Sequence, residues 1–283
     1  MAGRSLADVA REQLEIFQAG GYRRGSVFVP LREAIDRAVS GTRLLREADL
    51  DRLLVTVPAA PRTAATSVRC LVERSGACVS RLLAEGARRV AVLNYADGVT
   101  PGGLFLEGAS TQEEALCRCS ALYACLTSGR DDARAYYEEN RATGSAFCLG
   151  SILVSPDVPF FRDEVLELLP APFPATVLTA GAPDLGWLAA NLSSGREKSS
   201  RLADVPATFA CRTRYVLAAA REAGCDALVA GPWGCGAFGN DPEVVAEAFA
   251  AAVAEQGGAF DRIVFSTWGR AENREPFERR FVG

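Results

Sequence analysis

Apolar positions along the chain switch between a helical period and short continuous runs. Leu6, Val9, Ala10, Leu14 and Phe17 repeat at helical spacing until Gly20-Gly21 ends the run, and a second helix is predicted over residues 31–39. The first fifty residues therefore read as a helical extension. The apolar run 53–57 reads as a strand. A helix over 75–86, closed by Gly86, precedes a buried strand over 89–95 that opens into the turn-rich segment 97–103. Helix resumes over 111–127. Runs at 151–155, halted by Pro156 and Pro159, and at 175–180, before Gly181, read as further strands, and the polar stretch 191–202 as a loop or insertion. A helix over 206–223, a strand over 226–230, a glycine-rich loop, a helix over 242–255 and a strand over 262–266 with a short helical tail complete the pattern. Strands alternating with helices predict an α/β fold with a mixed, mostly parallel sheet flanked by helices on both faces. No internal repeat or interdomain linker shows, so residues 1–283 are read as one domain with the extension packed on it.

Composition narrows the chemistry. Hydrophobic residues make up 49% of the chain, enough for a sizeable core, and the net charge of −4 argues against a broad basic surface for nucleic acid. An anionic ligand must then be held locally. The nine cysteines form no C-x-x-C pair, and Cys117 and Cys119 have no partner pair downstream, so free, mostly buried thiols in a reducing cytosol are expected. The N-terminus lacks a signal-peptide core and no uncharged apolar run reaches membrane-spanning length, which predicts a soluble cytoplasmic protein without a membrane partner. The absence of histidine matters most. It excludes Ser-His-Asp and Cys-His catalysis, a histidine base and every histidine-ligated metal. Proton transfer falls to carboxylates, with Lys, Cys and Tyr as lesser alternatives.

Two segments carry candidate chemistry. In the first, the strand ending at Asn94-Tyr95 leads through Asp97, Gly102 and Gly103 to Gln112-Glu113-Glu114 at a helix start. Acidic residues in a first turn ordinarily complement the helix dipole. The glycine turn at a fixed distance before them adds a second possibility, a backbone that approaches a ligand closely. In the second, the strand 226–230 leads into Gly231-Pro232-Trp233-Gly234-Cys235-Gly236-Ala237-Phe238-Gly239, with Asp241 as N-cap and Pro242 opening the next helix. Such a loop aims N–H groups at a phosphate or diphosphate without any lysine, although a tight βα connection is the plain alternative. It is neither a P-loop nor a Rossmann fingerprint. Phe238 fills core or lies against a ribose. Both segments follow strand ends, where ligand crevices open in α/β sheets.

Together these residues resemble the poly(ADP-ribose) glycohydrolase family in its short bacterial form. The family signature, three glycines followed after six to eight residues by Gln-Glu-Glu, stands here as Gly102-Gly103-Leu104, seven residues, then Gln112-Glu113-Glu114. Residues 233–239 are similar to the family's diphosphate loop, and Phe265-Ser266-Thr267-Trp268-Gly269 to a segment bearing an adenosine-contacting aromatic. The resemblance covers roughly residues 55–283. It implies a macro-domain-like fold, and it places Glu114 as catalytic acid/base with Glu113 positioning the scissile ribose. Asn94 and Asp97 fall where the family holds ribose hydroxyls, Gly102 and Gly103 match its catalytic-loop glycines, and Gln112 is expected among the substrate-binding residues. Gly234, Cys235, Gly236, Ala237 and Phe238 fall at the diphosphate, and Thr267 and Trp268 near adenosine. Leu104 stands where the family has its third glycine, and Asp97 where eukaryotic relatives have asparagine. The first bears on how closely the loop approaches ligand; the second removes a donor and adds negative charge near the sugar.

The resemblance implies hydrolysis of ribose–ribose O-glycosidic bonds in poly(ADP-ribose) through an oxocarbenium-like transition state. ADP-ribose is released, with no cofactor and no metal. Glu114 donates a proton to the departing oxygen and then takes one from the attacking water. Expected partners are poly(ADP-ribose) or ADP-ribosylated proteins as substrate, within a DNA damage response, for a monomer that touches no nucleic acid directly. The rivals are a mono-ADP-ribosyl hydrolase on the same fold and a non-catalytic ADP-ribose-binding module.

Overall fold

The computed structural model describes residues 4–56, 65–191 and 195–281. In chain order the elements are α1 (Leu6–Ala19), β1 (Gly21–Arg24), β2 (Val27–Pro30), α2 (Arg32–Gly41), β3 (Arg43–Leu45), α3 (Glu47–Thr56), β4 (Ser67–Leu71), α4 (Ser75–Ala84) and β5 (Val90–Ala96). There follow α5 (Gln112–Cys119), α6 (Leu122–Leu126), α7 (Asp131–Thr143), β6 (Ile152–Arg162), β7 (Leu168–Gly181) and α8 (Leu185–Asn191). The chain closes with α9 (Gly195–Glu222), β8 (Ala227–Ala230), α10 (Pro242–Gln256), β9 (Arg262–Ser266) and α11 (Ala271–Phe281). The described residues form a seven-stranded sheet in the order β3-β6-β7-β5-β8-β9-β4. The pairs from β7 through β4 are parallel, and β6 runs antiparallel to both β3 and β7. The expected mixed, mostly parallel sheet is present.

Alternation along β5 divides the core. Val90 and Val92 face one side with α1, α2, α4, α5, α6 and α7; Ala91 and Leu93 face the other with α3, α9, α10 and α11. The same alternation sends Asn94 towards α5 and leaves Tyr95 packed on the opposite core. Residue parity on one strand thus assigns neighbouring side chains to different walls of the site.

Several local expectations are corrected. Residues 53–56 are helical, not a strand, and residue 57 lies outside the described residues. Leu50 of α3 is fully buried, and Tyr215 on α9 donates its hydroxyl to Asp51 at 2.6 Å, so packing on α9 overrides the β-rich composition of the run. The N-terminal fifty residues are not all helical. They include the β1–β2 hairpin, and β3 adds an edge strand to the main sheet. Pro156 and Pro159 do not end their strand, because β6 continues to Arg162 through register shifts that fall at Ser155/Val158 and Phe160/Arg162. Bulges tolerate the missing proline donors. The helix expected over 111–127 breaks at Ser120, which is extended and bridges to Phe160. The Ser120 hydroxyl accepts from Leu122 N at 3.1 Å, re-capping the chain into α6. The polar stretch after residue 191 is helical from Gly195 onward, with residues 192–194 outside the described set. The edge strand β4 and the helix α7 were not anticipated.

Candidate active site

Strand divergence creates the site. On its β8 side β5 is paired only from Val90 to Val92, while on its β7 side it is paired as far as Ala96. Beyond Val92 the β8 side of β5 needs another partner for its backbone. Gln112, the first residue of α5, supplies it. Its Nε2 donates to Leu93 O at 2.8 Å and its Oε1 accepts from Tyr95 N at 2.9 Å. Gln112 is thereby a brace that seats the start of α5 against the sheet, and its Nε2 also donates to the Ser75 hydroxyl at 3.2 Å.

The next two residues, Glu113 and Glu114, are 2% and 5% exposed, so the acidic pair is not the solvated first-turn decoration that dipole complementarity alone would give. Glu113 accepts from Asn94 Nδ2 at 3.1 Å and from Asp97 N at 2.9 Å. Asn94 in turn reaches Thr179 Oγ1 on β7 at 3.3 Å. Burial, reinforced by the nearby charges of Asp97 and Glu114, pushes the Glu113 carboxyl up to about 8, against the hydrogen bonds from Asp97 and Asn94. Glu114 accepts from Leu104 N at 3.0 Å and from the Thr111 hydroxyl. Thr111 is the N-cap residue of α5, yet its hydroxyl goes to Glu114 instead of a backbone N–H.

The glycines define how tightly the loop wraps these acids. Gly103 has φ +57°, and a Cβ there would lie 2.4 Å from Glu114 Oε1. Gly102 has φ +75°, and its Cβ would meet the Tyr123 ring at 2.8 Å. Asp97 shapes the turn itself, accepting from Val99 N at 3.0 Å and Thr100 N at 2.8 Å. Residues that carried no sequence signal brace the assembly. The Arg118 guanidinium donates to Ala109 O at 2.6 Å, Gln13 of α1 donates to Cys117 O at 2.6 Å, and a Cβ on Gly108 would lie 2.9 Å from Ala7 N. The N-terminal helix is thus part of the support of the loop between β5 and α5.

The second loop leaves β8 beside β5. Trp233 is fully buried, donates Nε1 to Ala180 O at 3.2 Å and packs edge-on against Phe209. Asn240 Nδ2 donates to Pro183 O at 2.7 Å and to Gly234 O at 3.0 Å. These anchors draw the loop over the carboxyl ends of β7 and β5. At its root a Cβ on Gly231 would lie 2.5 Å from the Tyr95 hydroxyl, so the two loops share a wall. Cys235 is buried, and burial pushes its thiol up to about 12, which makes it packing rather than a nucleophile. Gly236 and Ala237 are exposed and Phe238 half-buried. Among the described residues, the N–H groups of Gly236, Ala237 and Phe238 donate to no acceptor.

The third wall follows β9. Thr267 is 2% exposed, and both its N–H and its hydroxyl donate to Leu71 O, at 3.0 and 3.2 Å, so it ties β9 to β4. Trp268 is 57% exposed, and the Arg74 guanidinium lies 4.9 Å from its ring centroid. Asn94, Asp97, Gly102, Gly103, Glu113 and Glu114 therefore form one cluster, Gly234 to Phe238 an adjoining loop, and Trp268 an open aromatic surface. Gln112 and Thr267 belong to the frame.

A family model described as the catalytic domain of microbial-type PARG matches residues 10–163, which include both glutamates. Poly(ADP-ribose) glycohydrolase of Thermomonospora curvata, solved with the inhibitor ADP-HPD, is 35% identical over 98% of this chain and 99% of that one, with a TM-score of 0.84. The same organism's enzyme in another crystal structure is again 35% identical, with 98% of each chain covered and a TM-score of 0.85. The Deinococcus radiodurans enzyme in complex with ADP-ribose is 36% identical, over 87% of this chain and 96% of that one, with a TM-score of 0.75. No curated protein matches the chain. The chain belongs to the microbial-type poly(ADP-ribose) glycohydrolase family, and it is a glycoside hydrolase of macro-domain-like fold.

Proposed function

We propose that this enzyme cleaves ribose–ribose bonds of poly(ADP-ribose) with Glu114 as its single acid/base and Glu113 as the residue that orients the scissile ribose. One observation supports it above all: two buried carboxylates, and a loop whose amides have no acceptor among the described residues, leave the carboxyl ends of adjacent parallel strands. The diphosphate of an ADP-ribose unit suits the N–H groups of Gly236, Ala237 and Phe238, since successive loop amides can form an anion-binding concavity. The Phe238 ring then borders the ribose next to the diphosphate, and the exposed Trp268 offers a face for adenosine. Asp97 would face the sugar from the turn that it shapes.

Glu114 donates a proton to the departing ribose oxygen as the C1″–O bond breaks, leaving an alcohol and an oxocarbenium-like sugar. Water adds to C1″, its proton passes to Glu114, and the acid is regenerated. Glu113, largely neutral at pH 7, adds little negative charge beside Glu114 and keeps an O–H available for a ribose hydroxyl.

We further infer a cytoplasmic monomer acting in the DNA damage response without direct contact to nucleic acid. The net charge of −4 supports the last point, and no helix among the described residues is long and apolar enough to cross a membrane. Calorimetric titration with ADP-ribose, run alongside release of ADP-ribose from labelled polymer, tests the reaction. Binding together with release is expected; binding alone would make the chain a reader of the modification.

A further inference from the structure

The loop between β5 and α5 carries exposed aliphatic side chains close to the acidic pair. Val99, Leu104 and Leu106 are 37%, 56% and 42% exposed. Isolated exposed aliphatics are ordinary on a protein surface. These three lie within eight residues of one another on the loop between β5 and α5, and that loop is bound to the acidic pair at two points. Asp97 N donates to Glu113 at 2.9 Å and Leu104 N donates to Glu114 at 3.0 Å. The Leu104 side chain therefore projects into solvent from a residue whose own amide touches the acid.

A cation stands next to this face. Arg141, in the last turn of α7, donates NH1 to Val99 O at 2.7 Å, and among the described residues no carboxylate pairs with it. A last-turn arginine complements the helix dipole, but this one also leans across to the catalytic loop. Apolar surface and an unpaired guanidinium are thus brought together within one loop of the residue assigned to protonate the leaving oxygen.

We propose that Val99, Leu104, Leu106 and Arg141 form a subsite for the departing ADP-ribose unit, with the adenine against the aliphatic face and the diphosphate at Arg141. The inference rests on the reaction proposed above and deepens it. In that reaction the oxygen released belongs to the adenosine ribose of the neighbouring unit. Both an adenine and a diphosphate are attached to that ribose, so a flat apolar group and an anion must leave from the same place. Small leaving groups offer neither. The subsite thus favours polymer over a single ADP-ribose group carried on a small side chain, and Leu104 contributes through its side chain where a glycine would contribute only its amide.

The test compares two substrates: a dimer of ADP-ribose joined by one ribose–ribose bond, and ADP-ribose bearing an α-linked methoxy group at C1″. Both need the same acid and the same diphosphate loop; only the first fills the proposed subsite. In Leu104→Ser and in Arg141→Gln, the ratio of kcat/KM for dimer over methyl glycoside should fall about fivefold to tenfold, mostly through KM for the dimer. The ratio corrects for any disturbance of the shared machinery, and the exposed Arg141 provides a second variant should Leu104→Ser fold poorly. An unchanged ratio in both variants, with both substrates still cut, overturns the subsite while leaving the reaction intact. Wild-type protein that cuts neither substrate sinks the reaction and the subsite with it. Concentration-dependent self-association of the wild type that Leu104→Ser abolishes would assign the face to a second copy instead.

Discussion

The loops after β5 and β8 are built from the same parts and use them in opposite ways. Each leaves a parallel strand, turns on glycines with positive φ and enters a helix. In the first, the amides of Asp97, Val99, Thr100 and Leu104 all donate to carboxylates of the protein itself. In the second, the amides of Gly236, Ala237 and Phe238 have no acceptor among the described residues. One loop has its negative charge built in; the other awaits it. Oriented amides stabilise an anion wherever it comes from, so the difference separates chemistry from grip. The first loop fixes two acids in place, and the second can only be completed by an anionic ligand.

The largest expected effect breaks the first loop's chemistry without touching its geometry. In Glu114→Gln the side-chain oxygen can still accept from Leu104 N, but no proton can be shuttled. The kcat for ADP-ribose release should fall by about 10²- to 10⁴-fold, while calorimetric affinity for ADP-ribose stays within about threefold, a small fraction of its binding free energy. Wild-type turnover in this variant removes Glu114 from the mechanism.

Gly103→Ala is expected to come next, and it disturbs position instead of chemistry. The added Cβ would lie 2.4 Å from Glu114 Oε1, at a backbone φ of +57° that side chains disfavour. The carboxyl or the loop must shift, and a displacement of about 1 Å at a reacting group is worth roughly 10² in kcat. Steady-state kinetics that show an unaltered kcat would mean that the acid is not held where the loop places it.

How much of this was legible beforehand follows from the same contrast. The glycine–glutamate spacing and the second glycine loop are local patterns, and both landed at neighbouring strand ends. The acidic pair's burial was not local. It depends on Gln112 completing β5 where β8 diverges, and on α1 bracing the loop through Ala7 and Gln13. Thr111 is the N-cap residue of α5, and only its three-dimensional setting turns its hydroxyl to Glu114. Thr267 and Gln112 are polar residues in the segments singled out by sequence, yet their side chains bond strand carbonyls, Leu71 O and Leu93 O. Residues 53–56 misled for a related reason: a β-rich run became helix because α9 offered it a surface.

On the second loop, Gly234 and Gly236 separate shape from approach. Gly234 has φ +73°, and a Cβ there would meet Asn240 Nδ2 at 2.6 Å and Ala182 Cβ at 2.7 Å; Gly236 has open space around its Cβ position. Gly234→Ala should break the Asn240 anchor and weaken ADP-ribose binding by about tenfold, the equivalent of about 1.4 kcal/mol, with a lowered Tm. Gly236→Ala should leave Tm unchanged in free protein, so any loss of affinity there reports crowding of the ligand. Equal effects of the two substitutions on Tm would show that the loop is not held through Asn240.

The smallest effect appears in stability rather than turnover. Burial raises the Glu113 carboxyl from 4.5 to about 8 in the folded chain. Between those values the folded state holds a proton that the unfolded state has released, so its contribution to stability is fully present below pH 4.5 and is lost as pH rises through about 8. One pKa unit is about 1.4 kcal/mol, and in a domain of this size 1 kcal/mol moves Tm by about 2–4 °C. Tm should therefore decline by a few degrees per pH unit across that window, apart from other titrating groups. Glu113→Gln, which stays neutral throughout, should flatten the decline. Glu114→Gln provides the comparison: with Glu113 still present and still buried, most of the slope should remain. If thermal melts instead show the same slope in wild type and in Glu113→Gln, the buried acid of the first loop is ionised in the free enzyme. The loop's amides would then hold one more full charge, and the division between a loop that stores its anions and a loop that awaits them would be sharper still.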